Sequence, residues 1–194
     1  PGGTDGVVET LSTGHRVELP LSTTARARGV VLTASRSAVR ALLPEGLRPV
    51  RATPTRAAVT LLSVAYDRID GCDVEPYDEF AVVLPAVPAD ASTWSAVEHV
   101  GGYVDYLPVT TEPARALGVE VWGYPKVVAD VTHDERGSTR RTTVTVDGAR
   151  FVELSVHRPP TVETSPSPAR YPPLACRLLP ERPTVDRQVP PAPP

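Results

Sequence analysis

The stretch from Glu120 to Lys126 reads EVWGYPK and holds the most unusual residue of the chain. Lys126 is the only lysine among 194 residues, and arginine supplies every other one of the 20 basic side chains. Asparagine is absent and isoleucine occurs once, so a GC-rich gene explains why lysines are rare. That bias does not explain why one lysine remains. The alternative to a role for Lys126 is that this lysine was retained by chance.

A short helix is predicted immediately before this stretch. Thr111 is suited to an N-cap, Glu112 places an acid at the positive helix end, and Pro113 fits the first turn. The predicted helix includes residues 114–121 and is followed directly by Trp122. A helix therefore ends, and a strand begins, close to the single lysine.

The rest of the chain is dominated by strand patterns. A second helix with a serine N-cap is predicted over residues 35–43. After Pro159 the chain becomes proline-rich, which is typical of extended surface chain. Alternating or β-branched runs predict strands at residues 28–34, 57–66, 80–87, 128–133, 142–147 and 150–157. The pattern indicates one β-rich α+β domain with at least two short helices.

Composition excludes several classes of protein. The chain is 41% hydrophobic and 22% charged, which favours a single domain with a real core. A net charge of −3 with scattered arginines gives no footprint for nucleic acid. No apolar run approaches the roughly 18 residues of a membrane-spanning helix, and no signal peptide is visible. We therefore expect a cytoplasmic protein that binds neither nucleic acid nor a membrane.

Metal and disulfide chemistry are not indicated. Cys72 and Cys176 lie far apart without a CxxC motif or a cysteine–histidine cluster, so we expect buried thiols and no metal site. The chain begins at Pro1 rather than at a methionine, which predicts processing or trimming. The hydrolase, phosphate-binding and metalloprotease motifs GxSxG, GxGxxG and HExxH are absent too.

Lys126 remains the strongest candidate for chemistry. A lysine attacks a ketone only as a free amine, and burial or a neighbouring cation promotes that form. The flanking residues Trp122, Tyr124 and Val127 are apolar and offer no cation, so burial is the expected route. Arginine could replace a lysine that supplies only charge, but it cannot form a Schiff base. In a chain that uses arginine for 19 of its 20 basic side chains, a surviving lysine is enriched at positions that need an amine. Without the flanking motif, a surface lysine left by chance at the start of a strand would be the preferred interpretation.

Three segments in order resemble the acetoacetate decarboxylase family. They are ALLPEGL at 41–47, Tyr77-Asp-Glu79 and EVWGYPK at 120–126, and the resemblance covers roughly residues 28–180. It implies a conical, mostly antiparallel β-barrel with a few short helices, usually in homo-oligomers. We expect one such domain over residues 1–180 and a proline-rich tail over residues 181–194.

The resemblance also implies roles for single residues. Lys126 would form the Schiff base, and Glu79 would be the active-site carboxylate. Either Arg26 or Arg28 would bind the substrate carboxylate. We expect Tyr77, Trp122 and Tyr124 to line the substrate site. Val127 stands where the family pattern has a second lysine, so burial must activate the first.

The sequence thus predicts a lyase that needs no cofactor and acts on a small or medium oxo acid. The same imine supports decarboxylation, aldol addition, dehydration or retro-aldol cleavage, and the sequence leaves that choice open. The alternative is a noncatalytic member of the same fold that binds a ligand or serves in an assembly. A third possibility is a fragment completed by another polypeptide.

Overall fold

The computed structural model describes residues 7–91 and 100–157. The proline-rich region after Pro159, including Cys176 and the predicted tail, lies outside the described residues. In chain order, the strands are β1 (Val7–Thr10), β2 (Arg16–Ser35), β3 (Leu47–Pro49), β4 (Arg56–Cys72), β5 (Tyr77–Pro88), β6 (Gly101–Val109), β7 (Lys126–Val128), β8 (Asp130–Arg136), β9 (Thr139–Val146) and β10 (Ala149–His157). The helices are α1 (Arg36–Leu42) and α2 (Glu112–Ala116), and the π turn (Leu117–Val121) continues α2 directly.

Seven of these strands form one large sheet in the order β1-β2-β4-β5-β6-β7, with β3 paired to β5. Neighbouring strands run antiparallel except β6 and β7, which are parallel. The sheet curls into a half-barrel. Strands β10, β9 and β8 form a separate antiparallel sheet, called the small sheet below. The predicted β-rich α+β class is confirmed.

The predicted elements differ from the observed ones mainly in length. Strands β2 and β4 extend well beyond the apolar runs at residues 28–34 and 57–66, because their polar halves also pair with each other. An ion pair between Arg26 and Asp67, with a nitrogen–oxygen distance of 3.0 Å, links these polar halves across the ladder. Of the described helices, none is long and apolar enough to cross a membrane.

The large sheet is covered on both faces by different partners. On one face, Phe80 of β5 packs against Val131 and Val144 of the small sheet. The opposite face packs against α2 and the π turn through a cluster that includes Tyr77, Val109 and Leu117. Because side chains alternate along a strand, β5 contributes to both layers. Residues 77 and 79 share the helix-covered face, and residues 78 and 80 share the other.

Candidate active site

The segment before Lys126 is held by its own local hydrogen bonds. The Thr111 hydroxyl accepts a hydrogen bond of 3.3 Å from the amide of Ala114, as predicted for an N-cap. The helix then widens into the π turn, which is capped by Trp122 and followed by Gly123, whose φ of 69° favours glycine. Single π turns are frequent at functional sites. They change the direction in which the following residues leave a helix.

The amine of Lys126 lies between two side chains of β5. Its Nζ is 2.9 Å from Oε2 of Glu79, and the two side chains are only 4% and 9% exposed. Nζ also donates a hydrogen bond of 3.1 Å to the Tyr77 hydroxyl and lies 4.9 Å from the centre of that ring. The single lysine of the chain is therefore buried and has a carboxylate and a phenol as partners.

The strand register explains why these three residues meet. Tyr77 and Glu79 are two residues apart on β5, so they point to the same face. Val109 of β6 pairs with Glu79, while Leu107 pairs with Lys126. Directly paired residues present their side chains on one face of a sheet. The parallel β6–β7 pairing thus brings Lys126 to the face that carries Glu79.

Tyr77 has a protonation state fixed by its surroundings. Burial raises the pKa of its phenol far above the ordinary value, and the nearby Glu79 charge raises it further. Its ring lies 4.7 Å from the ring of Tyr66, centre to centre. The Tyr77 hydroxyl therefore stays protonated and can serve as a hydrogen-bond donor as well as an acceptor.

A buried amine in contact with a carboxylate can exchange a proton with it. Proton transfer from Lys126 to Glu79 yields the free amine that attacks a carbonyl carbon. The arrangement is chemically suited to imine formation.

A family model for acetoacetate decarboxylase matches residues 13–191. The chain belongs to the acetoacetate decarboxylase family. No curated protein matches it at a significant level.

Solved structures with this fold include an acetoacetate decarboxylase from Legionella pneumophila, at 15% identity and a TM-score of 0.57. That match covers 71% of this chain and 50% of the other. The enduracididine biosynthesis enzyme MppR, complexed with the condensation product of pyruvate and imidazole 4-carboxaldehyde, matches at 19% identity and a TM-score of 0.56. Here 82% of this chain and 68% of the other are covered. This family member spans about half the length of the decarboxylase structures that it matches.

Trp122 and Tyr124, expected to line the substrate site, flank Gly123 at the end of the π turn. Their rings lie 6.4 Å apart, centre to centre. Trp122 packs against the buried cluster that contains Tyr77 and Leu117. Both aromatic side chains are half-buried, so each keeps an accessible surface near the lysine segment.

The structure does not bring the two candidate arginines to Lys126. Arg26 and Arg28 pair with Ala65 and Ser63 of β4, and these pair in turn with Asp78 and Phe80 of β5. Those rows point toward the small sheet, on the face opposite Glu79. There Arg28 contacts Glu135 at 2.8 Å, and Arg26 contacts Asp67 at 3.0 Å. Both guanidinium groups are engaged in ion pairs of the protein itself.

A second polar cluster, around His133, was not predicted as a unit. His133 Nδ1 lies 3.0 Å from the Thr142 hydroxyl, which donates to Ser63 Oγ at 2.7 Å. Its Nε2 is buried 3.4 Å from Asp78 Oδ1 without the alignment of a hydrogen bond. Four residues distant in sequence meet here, and only the sheet packing brings them together. Among the described residues, no group of three or more histidine, cysteine or acidic side chains could hold a metal ion.

Proposed function

We propose that this family member is a Schiff-base-forming lyase that acts on a small or medium oxo acid through Lys126. The observation that carries the proposal is the buried contact of 2.9 Å between Lys126 Nζ and Glu79 Oε2. Family membership supports lyase chemistry of this kind. MppR, which shares the fold, has been seen with pyruvate bound, and this supports an oxo acid as the substrate class.

The first half of the reaction forms the imine. Glu79 accepts a proton from the ammonium group of Lys126 and leaves a free amine. The amine attacks the carbonyl carbon, a C–N bond forms, and the carbonyl oxygen departs as water. Both hydrogens of that water begin on the lysine nitrogen, so Glu79 relays protons without net change. Tyr77, which keeps its proton, donates a hydrogen bond to the departing oxygen.

The second half uses the protonated imine as an electron sink. With a 3-oxo acid, the bond to the carboxylate breaks, CO₂ leaves, and the electron pair of that bond forms an enamine, whose carbon takes up a proton from water to give an imine again. With a 2-oxo acid, the adjacent carbon loses a proton to water and an enamine forms. The enamine carbon then adds to the carbonyl carbon of an aldehyde, whose oxygen takes up a proton from water, and the imine is restored. Water then hydrolyses the imine and restores Lys126. These steps require no cofactor, and the choice between them depends on the substrate.

A noncatalytic role is the second candidate function. Val127 replaces the second lysine of the family pattern, and the chain spans about half the length of related decarboxylases. Such a protein would bind an oxo acid without turning it over, or would need another polypeptide to complete the site. Turnover measurements distinguish this candidate from the lyase, because an oxo acid that forms an imine with a noncatalytic protein is not converted to product.

Several properties of the whole protein belong to the proposal as well. We expect a homo-oligomer in the cytoplasm that does not associate with nucleic acid or membranes. One domain over residues 1–180 remains our prediction, although the family match reaches residue 191 and so enters the predicted tail. Sedimentation analysis of the full chain measures the oligomeric state.

Borohydride trapping tests the lyase proposal directly. The full chain is incubated with acetoacetate, pyruvate and longer oxo acids, reduced with sodium borohydride, and mapped by mass spectrometry. We expect the reduced adduct on Lys126. The matched control is Lys126→Arg, which keeps a cation beside Glu79 but cannot form an imine. The lyase proposal fails if folded wild-type protein forms no adduct with any oxo acid of the panel.

A further inference from the structure

Gly118 is in direct contact with the side chain of Lys126. It is buried in the π turn, eight residues before the lysine. A Cβ atom added there would overlap Cδ and Cε of Lys126 and lie 3.0 Å from its Cγ. The space that a side chain would occupy at position 118 is therefore filled by the aliphatic stem of the lysine.

The backbone carbonyl of Gly118 also binds the segment that leads to Lys126. Its carbonyl oxygen accepts a hydrogen bond of 3.0 Å from the Tyr124 amide and another from the Trp122 amide. The Lys126 amide donates in turn to the Tyr124 carbonyl at 2.8 Å. Gly118 thus fixes both the path of the chain into β7 and the path of the lysine stem.

The π turn itself is anchored from the other side. The Ser12 amide donates to Glu120 Oε2 at 2.9 Å, and the Ser12 hydroxyl donates to Oε1 at 2.5 Å. These contacts tie the turn to the loop between β1 and β2. The backbone at Gly118 consequently has little freedom to retreat from an added methyl group, whereas the flexible lysine stem can move.

We propose that Gly118 is a positioning residue that directs Lys126 Nζ between Glu79 and Tyr77. With any larger residue at position 118, the aliphatic part of the Lys126 side chain must move aside, and Nζ must move away from the buried Glu79 carboxylate. An alanine would suit the helical backbone better than glycine does. Glycine is retained there because the reactive side chain needs the space.

The inference deepens the proposed function but is tested without an oxo acid. Because Lys126 is the only lysine, trace acetylation with acetic anhydride followed by peptide mapping reports its amine specifically. In Gly118→Ala we expect acetylation of Lys126 at least about tenfold faster than in the wild type, because the displaced amine becomes accessible to the reagent, whereas the wild-type side chain is only 4% exposed. Unchanged acetylation in folded Gly118→Ala overturns the inference. Failure of oxo-acid trapping would count against the lyase and leave this result standing.

Gly148→Ala is the matched control for the acetylation experiment. Gly148 has a φ of 76° in the β9–β10 turn, and no atom lies within 4 Å of its added Cβ. The substitution strains the backbone of the small sheet, which lies on the other face of the large sheet from Lys126, so we expect it to lower the melting temperature and leave the acetylation of Lys126 at the wild-type rate. Equal acceleration in both variants would mean general loosening of the fold and would overturn the positioning role.

A double-mutant cycle covers the case in which Gly118→Ala folds poorly. In the wild-type background, we expect this change to lower the melting temperature by about 5 °C, a typical cost of crowding in a chain of this size. In the Lys126→Ala background the stem is absent, and the same change should leave the melting temperature unchanged or raise it. Equal destabilisation in both backgrounds contradicts the proposed contact.

Discussion

At the scale of single residues, Glu79 has two opposing effects on Lys126. As a carboxylate in contact with Nζ, it favours the ammonium form, which is unreactive toward ketones. As the nearest proton acceptor, it also provides the route by which the amine is freed. In the proposed mechanism the same contact therefore holds the resting pair and prepares imine formation, and removing the carboxylate separates these effects.

Glu79→Gln keeps the shape of this side chain but removes its ability to accept a proton. We expect the rate of borohydride-dependent trapping to fall by about 10²- to 10⁴-fold, the usual contribution of a general base. The free energy of unfolding should fall too, since the lysine charge loses its buried partner. Glu75→Gln, at an exposed glutamate just before β5, is the control and should trap normally. A normal rate in Glu79→Gln would remove Glu79 from the mechanism.

Sequence patterns identify these residues more readily than they identify their contacts. Lys126 stands out by composition and Glu79 by motif, yet 47 positions separate them, and only strand pairing brings them within 2.9 Å. Arg26 and Arg28 illustrate the limit. They share one face of β2, and a shift of one residue in the pairing with β4 would exchange that face for the other. Register of this kind is set by long-range packing.

At the scale of elements, the segment from α2 to β7 was predictable in part. The Thr111 cap and Pro113 mark the start of α2, and both are present as predicted. The π turn was not predictable, because its extra residue per turn leaves no distinct sequence signal. In the structure this turn holds Gly118, which lies against the lysine stem, and Glu120, which is bound to Ser12.

The Thr111 cap gives a prediction for this element. Thr111→Ala leaves the Ala114 amide without its acceptor, and we expect a loss of about 1 kcal/mol in the free energy of unfolding. Thr111→Ser keeps the hydroxyl and should retain most of that stability. Chemical denaturation of the three proteins measures the difference. Identical midpoints for the wild type and Thr111→Ala would show that the cap contributes nothing.

At the scale of the whole molecule, the large sheet lies between two layers, with α2 and the π turn on one face and the small sheet on the other. The small sheet brings His133 and Thr142 against Ser63 and Asp78, in a cluster that no single segment of sequence reveals. Burial lowers the pKa of His133 below its ordinary value, and the charge of Arg140 lowers it further, against the opposing effect of Asp78. We therefore expect the packing of the small sheet on the large sheet to weaken in acid.

The sign of that sensitivity follows from proton binding. A histidine in the unfolded chain has a pKa of about 6.5, so below that pH the unfolded state binds the proton before the folded state does. The stability that neutral His133 contributes above pH 6.5 is therefore lost as the pH falls from 6.5 to the lower pKa of the folded state. The free energy of unfolding falls there by at most about 1.4 kcal/mol per pH unit.

Denaturation midpoints between pH 7.5 and 5 check this expectation. His133→Gln should remove much of the pH dependence in this range. His157→Gln, at an exposed histidine on β10, should leave it unchanged. If His133→Gln keeps the full pH dependence of the wild type, other groups are responsible for it.

The alternation of β5 has an evolutionary consequence. Asp78 and Glu79 are joined by one peptide bond, yet each answers to a different selective constraint, since one faces the small sheet and the other faces the lysine. Mutations at positions 78 and 80 can therefore accumulate together with changes in the small sheet while positions 77 and 79 are preserved. Divergent descendants of this chain could acquire a new outer layer and inherit the reactive amine intact.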